Sequence, residues 1–103
     1  MSRESILQEV SAERDRQEAK WGVQDWPIYK YAGSKSCKAI AKECKQICDD
    51  AASKHSLTFA HILDEEVAEV YAESDPIRQR EELVQVAAVA VQMIEVIDRR
   101  LGK

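Results

Sequence analysis

No stretch of this 103-residue chain holds the roughly 18 consecutive apolar residues of a membrane span. The opening "MSRESILQEV" lacks the apolar segment of a secretory signal. Both absences lead us to expect a cytoplasmic protein without membrane attachment. Basic residues are in the minority, with 15 Lys and Arg against 19 Asp and Glu and a net charge of −4. Proteins that grip a nucleic-acid backbone usually carry a basic patch or stripe, so no nucleic-acid partner is expected. A nucleotide ligand is compatible with this balance, because a metal ion can carry the positive charge that phosphates need. Cysteine is scarce and odd in number, and there is no CxxC pair. Cys37, Cys44 and Cys48 follow the i, i+7, i+11 spacing of one helix and read as reduced thiols. Neither His55 nor His61 has the spacing that would complete a zinc site with them.

Nothing in the chain reads as a strand, and no repeat or low-complexity tract interrupts it. Four helical segments are expected instead. The first covers about Arg3 to Lys20, with Ile6, Leu7 and Val10 as a short apolar stripe, and stops at "KWGVQDWP", where Gly22 and Pro27 disfavour helix. The second covers about Ser36 to Ser53, with Ile40, Cys44, Ile47 and Ala51 as its apolar face. The third opens near Ser56 or Thr58, either of which can cap free amides, and runs to about Ser74 with Leu63, Val67 and Val70 on one side. In "SDPIRQREEL", Asp75 suits a cap and Pro76 the first helical position, so a fourth helix starts there. Its apolar residues, from Leu83 through Val86, Val91, Ile94 and Ile97 to Leu101, spread over more than half of the circumference. A helix apolar over so wide an arc is buried on more than one side. A chain this short buries only a modest core alone, so the expectation is one domain, 1–103, forming an all-α four-helix bundle completed by dimerisation.

The acidic residues raise a sharper question. In "HILDEEVAEV" (61–70), Glu65, Glu66 and Glu69 lie within about 100° of one another on the helix, at the edge of the apolar face rather than opposite it. Like charges at i, i+4 cost about 0.2–0.5 kcal/mol per pair, and a cation between them removes that cost. Hard divalent ions take oxygen ligands from such carboxylates. An exposed EExxE can also be an ordinary solvated surface. The next helix answers with Glu81, Glu82 and Gln85, and a short connection would bring Glu82 and Gln85 opposite Glu66 and Glu69. Glu95 and Asp98, spelled "EVID", form an intact ExxD. They point away from Glu82 on the helix and read better as surface or interface charges.

"LDEEVAEV", followed after a short gap by "EELVQVAAVAV", resembles the MazG-like, all-α nucleoside triphosphate pyrophosphohydrolases, whose signature is EExxE on one helix and ExxD on the next. "ERDRQEAKWGVQDWP" (13–27) is similar to the opening of small phage and bacterial members, and together these stretches cover about half of the chain. The resemblance implies a Mg²⁺-dependent enzyme, with Mn²⁺ as an alternative ion, that cleaves a nucleoside triphosphate between its α and β phosphates. It implies that Glu66, Glu69 and Glu82 ligate the metal and that Glu65 orients water or sits in an outer shell. The chain departs from the pattern at Gln85, where the family has Asp. An amide oxygen can ligate but brings no charge, so metal binding should be weaker.

If the resemblance holds, phosphates need donors and the base needs a flat surface. Arg14, Arg16, Lys20, Lys54, Arg78 and Arg80 are candidate donors, and Glu13, Gln17 and Lys20 form a polar stripe on the first helix. Trp21 and Trp26, with Gln24 between them, would stack on a base and read its edge. The plainer readings are a solvated helix face for the first group and plugged bundle ends for the tryptophans. His61, four residues before Glu65, reads as a helix-stabilising partner. No Ser-His-Asp or Cys-His arrangement is suggested, and the missing ExxH weighs against a di-iron carboxylate bundle. The expected protein is a dimeric or tetrameric nucleotide pyrophosphohydrolase. Its rivals are a helical interaction module that has lost turnover, with Gln85 as the scar, and a metal-binding helical dimer without nucleotide chemistry.

Overall fold

Short polar side chains set where the helices begin. Ser2 Oγ accepts from the Ser5 amide (3.2 Å), Ser34 Oγ from Cys37 (3.2 Å), Thr58 Oγ1 from His61 (3.4 Å) and Asp75 Oδ1 from Ile77 (3.1 Å). Each satisfies an amide that the first helical turn leaves free. In this computed structural model, which describes residues 2–103, the helices that follow are α1 (Arg3–Trp21), α2 (Lys35–Ser53), α3 (Phe59–Ala72) and α4 (Pro76–Arg100). Among the described residues there is no strand. The all-α expectation holds, with boundaries displaced by one or two residues.

The helix ends have equally local causes. Gly22 stops α1 with φ 72° and donates its amide to Glu18 O at 2.7 Å. After α2, His55 adopts φ 56°, the amide of Ser56 reaches Ala51 O (2.8 Å) and that of His55 reaches Ala52 O (3.2 Å). This is a Schellman closure with histidine where glycine is usual. His61 pairs differently from expectation. Its Nδ1 accepts from the Thr58 amide at 3.0 Å, closing a capping box at the start of α3.

The chain divides into two compact units, one made of residues up to Pro27 with Val91–Lys103, the other of Ile28–Ala90. In the first, Ile6 is buried to 1% exposure while Leu7 and Val10 stay exposed. Arg3 pairs with Glu95 at 3.3 Å, so Glu95 is an ion-paired surface charge there. In the second, α2 packs on α3. The buried side of α2 carries Cys37, Cys48 and Ala51, with Cys44 half-buried, whereas Ile40 and Ile47 are exposed. The inward face is therefore turned from the one expected, because small thiol and methyl side chains let the helices approach. On α3, Ala68 and Val70 are buried, and Leu63 and Val67 half-buried.

The loop before α2 is laid onto the end of α3. Gly33, at φ 78°, donates to Tyr71 O at 2.9 Å, and a Cβ at this position would meet Ser74 Cβ at 2.7 Å. Only glycine fits both the backbone angle and the gap. Tyr29 packs on Tyr71 beside it, with ring centroids 4.6 Å apart. On α4, Val89 is buried, but Leu83, Val84, Ile94, Ile97 and Leu101 remain exposed in the single chain. No helix is long and apolar enough to cross a membrane among the described residues.

Candidate metal centre

Three residues, 73–75, turn the chain from α3 into α4. The turn uses Glu73 itself, whose Oε1 accepts from the Asp75 amide at 3.0 Å. One helical turn into α4, Gln79 is buried to 8% exposure, and its Nε2 donates to Glu73 O (2.8 Å) and to Val70 O (3.4 Å). These carbonyls sit at the end of α3, where Val70 O also accepts from the Glu73 amide at 3.4 Å and the helical amide ladder runs out. Glu82 lies three residues beyond Gln79 and shares its face. On α3, Glu69 and Glu66 lie one and two turns before Glu73, facing the same side. One carboxylate oxygen from each of Glu66, Glu69 and Glu82 lies within 4.8 Å of the other two. All three side chains are half-buried.

Such crowding should make ionisation costly, and it does. Burial, then the charges of Glu82 and Glu65, raises Glu66 above the usual carboxylate range. Glu69 is pushed up to about 7, first by burial, then by a hydrogen bond with Glu82 and by the charges of Glu82, Glu66 and Glu65.

Glu65, the leading glutamate of the motif, is outside this group of three. It meets α2 instead. A hydrogen bond with Glu65, then burial, pushes the Cys48 thiol up to about 11, while burial and the nearby Asp64 raise Cys44. Gln85 is exposed on α4, one turn beyond Glu82. The substrate-side candidates Gln17, Lys20, Trp21, Gln24 and Trp26 all belong to the other unit and are exposed. Gln17 accepts from Arg14 at 2.9 Å, and Lys20 lies 4.8 Å from the Trp21 ring centroid. Most of the candidate phosphate donors form local surface pairs: Arg14 with Glu18, Arg16 with Glu13, Lys54 with Asp50 and Arg78 with Asp75.

The burial of Gln79 and the effect of Glu65 on Cys48 lie outside the expectations from sequence. Gln79 had a readable signal, since it shares a helix face with Glu82 at i, i+3. The pairing of Cys48 with Glu65 had none, because it depends on how α2 is rotated. Comparison with protein-family models, with characterised proteins and with solved structures gives no match.

Proposed function

We propose that the chain is a divalent-cation-dependent nucleoside triphosphate pyrophosphohydrolase of MazG-like type, working as a dimer or tetramer. The observation that carries this reading is the convergence of Glu66, Glu69 and Glu82, with oxygens within 4.8 Å of one another, on helices with the EExxE and ExxQ spacing. Three partly buried carboxylates, two of them raised in pKa, suit a small hard cation whose charge would relieve their crowding. Mg²⁺ would be held by these three side chains, with the Gln85 amide oxygen as a neutral fourth donor. Bound there, it would neutralise negative charge on the polyphosphate as the α–β phosphoanhydride breaks.

The chain's own residues have separate tasks in this scheme. Glu66, Glu69 and Glu82 would hold the cation against which the triphosphate oxygens are positioned. Glu65, next to Glu66 on α3, would orient the attacking water. A second copy would cover the apolar surface that Leu83, Val84, Ile94, Ile97 and Leu101 leave open on α4. Gln85 favours one rival, a helical module without turnover, because it brings one charge fewer than Asp.

Pyrophosphate release from a panel of ordinary and damaged (d)NTPs, with and without Mg²⁺, separates the two. The enzymatic reading expects Mg²⁺-dependent release that Glu66→Ala abolishes. No release from any substrate, or full activity in Glu66→Ala, would defeat it.

A further inference from the structure

Two carboxylates that repel each other stay together only if something in the fold holds them. No Lys or Arg of the same unit forms an ion pair with Glu66, Glu69 or Glu82 among the described residues. Two side-chain hydrogen bonds from one residue of α4, Gln79, reach the end of α3. Its amide has two hydrogens, and two carbonyls, Val70 O and Glu73 O, receive them. The side chain is buried, so losing either partner leaves a desolvated polar group, a strong penalty against sliding or rotation of α4. Glu82 stands one turn along the same face from this clamp, and Glu69 one turn back from Glu73.

We propose that Gln79 is the positioning residue of the acidic site: its buried amide locks the start of α4 to the end of α3 and so holds Glu82 against Glu66 and Glu69. The site is thereby assembled before any cation arrives, and the clamp opposes the repulsion that would otherwise splay it. This deepens the divalent-cation reading and rests on it only for what the site binds. The clamp itself is a matter of hydrogen bonds between described residues.

The test uses Gln79→Met, which keeps length and bulk but removes both donors. Mn²⁺ affinity is measured at a temperature where the variant is fully folded, and the approach of Glu82 to Glu69 is followed by NOEs between their side-chain methylenes in metal-free protein. Expected are a loss of affinity of about tenfold or more and a loss of the Glu69–Glu82 NOEs. A variant that melts earlier yet keeps both Mn²⁺ affinity and these NOEs shows a mere helix cap and overturns the proposal. Should Gln79→Met fail to fold, Gln79→Asn, one methylene shorter, decides by the same two readouts. If the unaltered protein binds no Mn²⁺, the cation reading fails, and the Glu69–Glu82 NOEs alone decide the role of Gln79.

Discussion

Replacing Glu82 by Gln should flatten the pH dependence of stability between about pH 4.5 and 7. Glu69 has an ordinary value of 4.5 when unfolded and is pushed up to about 7 in the folded chain, by burial first and then by Glu82. An acid whose folded pKa lies above its unfolded one holds its proton more tightly when folded. Its contribution to stability is therefore full below about pH 4.5 and is lost as pH rises through about 7. At about 1.4 kcal/mol per pH unit, the shift sets a ceiling of roughly 3 kcal/mol. Glu69 is only partly buried, and solvent screening reduces the expected effect to about 1–2 kcal/mol. The Glu82→Gln amide keeps the size and removes the charge. Burial persists, so the variant should keep a shallower slope and gain about 1 kcal/mol over the natural chain above pH 7. For a domain of this size that is about 4–8 °C in Tm. Thermal unfolding with a chelator present, at one fixed chain concentration, reads the difference. Curves that run parallel from acid to neutral pH, or a variant that loses ground as pH rises, would refute the reasoning.

Three further substitutions or modifications test the local structure. His55→Gly should stabilise the chain by about 0.5–1 kcal/mol in urea unfolding, because it relieves the left-handed backbone at the end of α2; a destabilised variant would contradict the closure described. Gly33→Ala should cost about 1–3 kcal/mol through its positive φ and the approach to Ser74, and a neutral effect would mean that the loop does not lie on α3. Alkylation at about pH 8, resolved by mass spectrometry, should label Cys48 about tenfold or more slowly than a free thiol peptide, since it remains protonated to about 11. Labelling at the peptide's rate would separate Cys48 from Glu65.

Much of the fold was legible because its signals are local. Ser and Thr caps, Pro76 at the first turn and Gly22 at a stop each act within a few residues, so the helices fell where their punctuation placed them. The acidic trio was legible for a related reason: a three-residue turn leaves two antiparallel helices few registers, and EExxE then faces Glu82. The rotation of α2 was not legible. Ile40 and Ile47 compete with Cys37 and Cys48 as the inward face, and only packing distance chooses the smaller side chains. Gln79 escaped because glutamine reads as surface, and its burial follows from carbonyls supplied by another helix. His55 escaped because a left-handed helix end announces itself by glycine, and here histidine accepts the strain.

The central claim is that Glu66, Glu69 and Glu82 together hold one divalent cation. Titration of the chain with Mn²⁺, with free ion counted by electron paramagnetic resonance, tests it directly. The account predicts one saturable site per chain, lost in Glu69→Ala and weakened by competing Mg²⁺. Binding that never saturates, or that is the same in Glu69→Ala, would contradict it.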